Sequence, residues 1–318
     1  MIEVSKLVKY YGEKKAVNSI SFHVNQGEIL GFLGPNGAGK STVMNILTGY
    51  LSATSGRVSV GGYDILEKPL DAKKCIGYLP ELPPLFLDMT VSEYLDFICR
   101  IKGVEPKSRK KHAANVMSMV NILNVNNRMI KNLSKGYRQR VGIAQALIGD
   151  PPIIILDEPT IGLDPRQIIE IRTLINSLRG KRTILISTHI LTEVQAMCDR
   201  VVIINNGKIV AEDTPVNLSK RLNGPHKIVV GFQSDNPDIY SFLQNIPGIN
   251  SVFPVRNVEQ EQYFEVVADE QSDPRVAIFE MACQFALPII ECRSPELSME
   301  DIYLKVVDSD PVKGRQSK

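Results

Sequence analysis

From residue 1 to about residue 222, short β-branched or wholly apolar runs alternate with stretches of helical period. Continuous apolar runs bounded by turn residues predict strands buried on both faces. Ile29 to Leu33, Ile153 to Asp157, Thr183 to Ser187 and Val201 to Asn205 are of this kind, and Met1-Ile2-Glu3-Val4 opens a further strand. Ser41 to Leu51 reads as a helix. Between Leu82 and Ile130 the β-rich character fades, and Thr90-Val91-Ser92-Glu93 has capping-box spacing, predicting a helix from about Val91 to Lys102 within a helical insertion. The alternation predicts an α/β domain whose sheet holds at least some parallel strands.

Ser219-Lys220-Arg221-Leu222-Asn223-Gly224-Pro225 has the polar, helix-breaking chemistry of a linker. Beyond it the pattern reads strand (His226 to Phe232), helix (Pro237 to Asn245), strand (Asn250 to Val255), strand (Gln262 to Ala268), helix (Asp273 to Phe285) and strand (Pro288 to Cys292). That order is the ferredoxin-like split unit, an α+β fold. The expected division is a domain over 1–222 with its helical part at about 82–132, a smaller domain over 226–308, and a loose tail at 309–318. Ser298-Met299-Glu300-Asp301 would cap a short last helix.

At 318 residues the chain has room for two domains. A net charge of +2 provides no global basic field, so no nucleic-acid partner is expected. Cys75, Cys99, Cys198, Cys283 and Cys292 are scattered without a C-x-x-C pair, which fits reduced thiols in a cytosolic protein. No run approaches the roughly 18 apolar residues of a membrane span, so any membrane would be supplied by a partner.

The chemistry concentrates at Gly34-Pro35-Asn36-Gly37-Ala38-Gly39-Lys40-Ser41-Thr42, between a buried strand and a helix. The glycines let backbone N–H groups curl around β- and γ-phosphates and the helix start adds its positive end. Lys40 supplies a mobile cation, and Ser41 offers a hydroxyl to Mg²⁺. The chain is thus expected to grip a nucleoside triphosphate. Ile153-Ile154-Ile155-Leu156-Asp157-Glu158 delivers two carboxylates to the carboxyl edge of a strand. Asp157 suits Mg²⁺, directly or through water, and Glu158 suits the orientation or deprotonation of an attacking water.

Leu133-Ser134-Lys135-Gly136-Tyr137-Arg138-Gln139-Arg140 follows the helical insertion and precedes Asp157. With these motifs in this order, the chain resembles the nucleotide-binding subunit of an ABC (ATP-binding cassette) transporter over roughly Met1 to Leu222. The resemblance implies an α/β P-loop NTPase cassette, a RecA-like core plus a helical subdomain, which binds ATP with Mg²⁺ and dimerises with an identical or related subunit. It also implies an integral-membrane permease as partner and a peripheral position on the cytoplasmic face of the inner membrane. In the family, the residues matching Ser134 and Gly136 contact the γ-phosphate held by the opposite subunit. Tyr11 resembles the aromatic that stacks on adenine, with Tyr10 as its competitor. Asp164, in Gly162-Leu163-Asp164, resembles the D-loop that crosses the dimer interface. His189 resembles the switch histidine that reaches the γ-phosphate.

Two positions depart from the family pattern. Glu81 stands where most relatives carry the glutamine of the Q-loop, an extra carboxylate that either coordinates the metal or slows hydrolysis by crowding the phosphate. Lys135 and Tyr137 replace the usual glycine and glutamine of the signature. Leu82-Pro83-Pro84-Leu85-Phe86-Leu87 is an apolar loop that serves either the membrane partner's coupling helix or the insertion's own core. Lys107-Ser108-Arg109-Lys110-Lys111-His112 reads as a solvated helix face, with anionic lipid headgroups as the alternative. The signature, Glu81 and trailing domain together resemble the ATPases of ABC-2-type exporters, including drug-efflux and gliding-motility-associated subunits. The rival expectations are a soluble ABC ATPase acting on ribosomes or DNA, and a regulatory module whose C-terminal domain binds a small effector.

Overall fold

The computed structural model describes residues 1–222, 226–258, 260–269 and 273–293. The chain forms two compact units, Met1–Pro215 and Val216–Lys318. In chain order the first begins with β1 (Ile2–Tyr11), β2 (Lys14–Val24) and β3 (Ile29–Leu33), followed by α1 (Lys40–Leu47). β4 (Ser55–Val60), β5 (Tyr63–Asp64), α2 (Pro69–Lys74) and β6 (Ile76–Leu79) come next. The helical stretch contributes α3 (Val91–Ile101), α4 (Arg109–Met119) and, after two 3₁₀ turns, α5 (Lys135–Leu147). β7 (Ile153–Asp157), α6 (Pro165–Ser177), β8 (Thr183–Thr188), α7 (Leu191–Met197), β9 (Arg200–Asn205) and β10 (Lys208–Asp213) complete the run before α8 (Pro215–Leu222).

The central sheet has six strands in the order β10-β9-β3-β8-β7-β6. Its pairs are parallel from β9 to β6, and only β10 joins antiparallel. Every residue of β3, β7 and β8 is buried, as expected of strands covered on both faces. Because these strands run the same way, their carboxyl ends lie along one edge, where α/β sheets bind ligands. A second, antiparallel sheet, β2-β1-β4-β5, shares a core with α1 and the central sheet through Leu7, Val17, Phe22, Phe32, Met44 and Leu47. Burial of such side chains stabilises the unit by about 1.5–3 kcal/mol each.

The capping box at Thr90 is formed: Glu93 N donates to Thr90 Oγ1 at 3.3 Å and Thr90 N donates to Glu93 Oε2 at 2.8 Å. It starts α3, whose buried face carries Val91, Tyr94, Leu95, Ile98 and Cys99. Several boundaries differ from the sequence reading: the first unit ends at Pro215, not at about Leu222, so α8 falls almost wholly in the second. α1 stops at Leu47 rather than Leu51, because Gly49 turns left-handed at φ +67° and closes the last turn. The expected linker begins inside a helix, since α8 runs to Leu222. Its strong breakers, Asn223-Gly224-Pro225, lie outside the described residues, as do the expected cap at Ser298 and the tail at 309–318.

The second unit holds β11 (His226–Gln233), α9 (Ile239–Gln244), β12 (Ile249–Val258), β13 (Glu261–Ala268), α10 (Arg275–Gln284) and β14 (Ile289–Arg293). The sheet order β12-β13-β11-β14, antiparallel throughout, is the ferredoxin-like arrangement. Ile239 and Leu243 of α9 and Ile278 and Met281 of α10 pack on Val230, Phe232, Phe264 and Val266.

Candidate nucleotide site

The loop between β3 and α1 is shaped by its glycines. Gly39 sits at φ +110°, and a Cβ there would lie 2.7 Å from the carbonyl oxygen of Ala16, so a side chain would meet both backbone strain and a collision. Lys40, Ser41 and Thr42 then occupy the first turn of α1, where backbone N–H groups lack helical acceptors. The Lys40 ammonium is buried against its own loop. It donates to the carbonyls of Gly34 at 2.8 Å and Pro35 at 3.3 Å, and lies 3.3 Å from Glu158 Oε1.

Parallel pairing puts Asp157 opposite Ser187 and Leu33 opposite Thr188, so β3, β7 and β8 end together. The Ser187 hydroxyl donates to Asp157 Oδ1, and Ser41 also bonds the Asp157 carboxylate. Burial raises the pKa of Asp157, with the neighbouring charges of Glu158 and Glu81 adding to the rise against those hydrogen bonds. Glu158 takes φ +49°, uncommon for a residue with a side chain, and its N–H donates to Ser187 O at 3.0 Å. Its Oε2 lies 2.9 Å from His189 Nδ1.

A cleft of about 430 Å³ opens above this edge, lined by Tyr11, Asn36, Gly37, Gly39, Lys40, Ser41, Thr42, Glu81 and Glu158. Gly34 lies behind it through its carbonyl to Lys40. Tyr11 is half exposed at the lip, whereas Tyr10 is not part of the lining. Lys14, Ala16 and Ile161 also line the cleft, and the sequence reading missed them, since nothing marks a lysine in an exposed hairpin as a neighbour of the loop at residue 37. The residues Ser134, Gly136 and Asp164 are brought together elsewhere. Ser134 caps α5 and Asp164 caps α6, accepting from Gln167 N at 2.9 Å. Gly136 lets Gln167 approach so closely that a Cβ would stand 2.4 Å from its Cδ. This trio lines no part of the cleft in its own chain.

The donor set fits a hard divalent cation: a hydroxyl and a buried carboxylate side by side, with further carboxylates close at hand. Mg²⁺ takes few protein ligands beside substrate phosphates, in keeping with one hydroxyl and one carboxylate as donors. Replacing Asp157 with Asn removes the buried charge and keeps an acceptor for Ser187. A carboxyl whose pKa is raised by folding contributes stability below its ordinary value and loses it as pH rises through the raised one. In EDTA, Asp157→Asn is therefore expected to melt above the parent at neutral pH, with the difference vanishing in acid, and to gain nothing from added Mg·ATP. Thermal melts across pH measure this; a variant melting below the parent at neutral pH contradicts it.

A second feature of the same unit is an open groove of about 800 Å³ lined by Tyr50, Tyr78, Pro80, Leu82, Pro84, Ile98 and Ile101. The apolar loop after Glu81 is partly packed on the helical insertion and partly exposed. Phe86 packs edge-on against Tyr94 and Phe97, whereas Leu82 stays 84% exposed on the groove.

A phosphate loop at the carboxyl edge of a parallel sheet, facing a strand that ends in paired carboxylates, defines a P-loop nucleoside triphosphatase. Residues 17–161 match the family described as ABC transporter. The chain is 32% identical to the ABC transporter ATP-binding protein YxlF of Bacillus subtilis (strain 168), over 96% of this chain and 99% of that one. It is 36% identical to the bacitracin transport ATP-binding protein BcrA of Bacillus licheniformis, over 80% and 85%. Among solved structures, a dimeric post-hydrolysis state of the ATP-binding cassette MJ0796 bound to ADP and Pi is similar, with TM-score 0.62 and 25% identity over 68% of this chain and 99% of that one. The chain belongs to the ABC transporter family, as an ATP-binding subunit and an ATPase. These relatives favour a transporter over a soluble factor acting on ribosomes or DNA.

Proposed function

We propose that this subunit docks on an integral-membrane permease at the cytoplasmic face and drives export by closing and reopening a dimer around ATP and Mg²⁺. The observation that carries the reading is the convergence of Lys40, Ser41, Asp157, Glu158 and His189 at the ends of β3, β7 and β8. Ser41 and Asp157 would hold Mg²⁺, which when bound supplies positive charge beside the β- and γ-phosphates. Lys40 and the backbone N–H groups of the loop bind phosphate oxygens. Glu158, buried and held by His189, orients and deprotonates water, so the work is mainly placement and electrostatics.

Ser134 and Gly136, absent from the cleft of their own chain, complete the partner's site, and Asp164 lies at the same interface. The partner is an identical or related subunit, in keeping with the dimeric cassette noted above. Glu81 takes the coupling position, its carboxylate reporting the cleft to the adjoining loop. Tyr11 stacks on the base. Stacking of this kind contributes about 1–3 kcal/mol, so Tyr11→Ala should weaken ATP binding roughly 5- to 150-fold, as titration with a fluorescent ATP analogue would register. Tyr10→Ala should bind as the parent does; the reverse pattern would reassign the base platform to Tyr10.

The groove beside Leu82 is the surface offered to the permease's coupling segment. When co-expressed with its permease, the protein should remain on salt-washed membranes and co-purify in detergent, whereas Leu82→Glu should be released with its ATPase intact. Retention of Leu82→Glu, or absence of the parent from membranes, would contradict the docking assignment. Export follows from the resemblance to ABC-2-type ATPases and from relatives named for bacitracin transport and linearmycin resistance.

A further inference from the structure

Glu193, in the first turn of α7, is fully buried, and among the described residues it has no ion pair. A carboxylate in that position is costly unless its oxygens are hydrogen-bonded. Both are: Thr160 Oγ1 donates to Oε1, and Thr188 Oγ1 donates to Oε2 at 2.8 Å. The two threonines belong to different strand ends. Thr160 lies two residues after Glu158 and its carbonyl accepts from Leu163 N at 3.2 Å, closing the turn that leads to Asp164. Thr188 immediately precedes His189, and its hydroxyl also accepts from Ile190 N at 3.0 Å, so one hydroxyl pins the backbone on both sides of His189.

We propose that Glu193 is a positioning residue for ATP hydrolysis: by accepting from Thr160 and Thr188 it locks the turn after Glu158 to the turn carrying His189. Glu158 stands at φ +49° with its carboxylate 2.9 Å from His189 Nδ1; both residues lie just past the paired strands, Glu158 held by its N–H to Ser187 O and His189 following Thr188, which pairs with Leu33. The bridge supplies a second tie beyond the sheet edge. A third contact in the same place, from Gln139 Nε2 to the carbonyl of Pro159 at 2.8 Å, fastens α5 to this turn, so the helix that begins at Ser134 is joined to the same assembly. Both hydroxyls donate to Glu193, whereas glutamine at 193 offers one acceptor oxygen, so one threonine hydroxyl would have to turn, accept from the amide and lose the partner its proton has here.

This inference rests on the roles given above to Glu158 and His189. The test compares Glu193→Gln, Thr188→Val and Thr188→Ser in the full-length protein, measuring phosphate release, ATP affinity in EDTA and thermal melts. Glu193→Gln and Thr188→Val should each lower kcat roughly tenfold or more, the scale of a small misplacement of reacting groups, with ATP affinity in EDTA within about twofold of the parent. Thr188→Ser, which keeps the hydroxyl, should restore most of the rate. In a His189→Ala background, Thr188→Val should add little, because the hydroxyl acts through the residue already removed. Parent-like kcat in both Glu193→Gln and Thr188→Val overturns the proposal. So does a loss that follows ATP affinity or the folded fraction, or one that multiplies fully with His189→Ala. Should Glu193→Gln fail to fold, Thr160→Val and Thr188→Val decide by the same criteria. If Glu158→Gln itself hydrolyses at the parent rate, the underlying site reading fails; if that variant is inactive while these are not, only the bridge fails.

Discussion

Glu158→Gln is expected to bind ATP as the parent does and to hydrolyse it roughly 10²–10⁴-fold more slowly, the usual contribution of a general base. The substitution preserves shape where shape matters: Glu158 is 5% exposed and wedged between Lys40 and His189. A glutamine there still accepts one hydrogen bond but takes no proton from water. Lys40 continues to meet the loop carbonyls of Gly34 and Pro35, so the phosphate cradle is left intact. Single-turnover phosphate release, read beside binding of a fluorescent ATP analogue, separates the two effects. If hydrolysis persists at the parent rate, Glu158 is not the base; if binding is lost as well, the residue's main task is to hold Lys40.

Activity is expected to appear on mixing two inactive variants, Lys40→Ala and Ser134→Asp. Asp caps a helix about as well as Ser, so α5 keeps its start while a negative charge is set against the phosphates bound by the other subunit. In a composite dimer each homodimer carries two damaged sites. A mixed dimer carries one site with both lesions and one with neither. Random pairing makes half the dimers mixed, and with one intact site in each, about a quarter of parental activity should return. Phosphate release as a function of mixing ratio measures it. A mixture as inactive as its components would mean that Ser134 acts within its own chain, against the geometry that leaves it outside the cleft lined by Lys40.

The cradle from Gly34 to Thr42 and the carboxylates at 157 and 158 were legible without coordinates, because their chemistry depends on neighbours in sequence. A buried parallel strand is a continuous apolar run, so β3, β7, β8 and β9 also announced themselves. The ferredoxin-like order of the second unit followed from its alternation of elements. The antiparallel sheet formed by β2, β1, β4 and β5 was hidden apart from its first residues. In β1 and β2 the alternation is broken by register shifts between Val4 and Tyr10 and by left-handed turns at Lys6 and Ser19, which flip the inward face partway along both strands. That sheet brings Tyr11 and Lys14 to the cleft, so this wall of the cleft was the least readable part of the site.

Glu193 shows the same limit more sharply. In the sequence it is an acidic residue near a helix start, where any solvated glutamate would be at home. Only folding encloses it between strand ends 28 residues apart in sequence, at Thr160 and Thr188.

By itself the sequence determined that a triphosphate is gripped, which residues are candidates to touch its phosphates, and that two folding units share the chain. These are properties of contiguous residues, set by local sterics and by the burial of apolar runs. The tertiary structure alone decided which carboxylates are buried, that Tyr11 rather than Tyr10 faces the cleft, and that Ser134 and Gly136 stand apart from the phosphate loop of their own chain. Those depend on strand order and register, which bring distant residues within hydrogen-bonding range, and no local pattern encodes a distance of that kind.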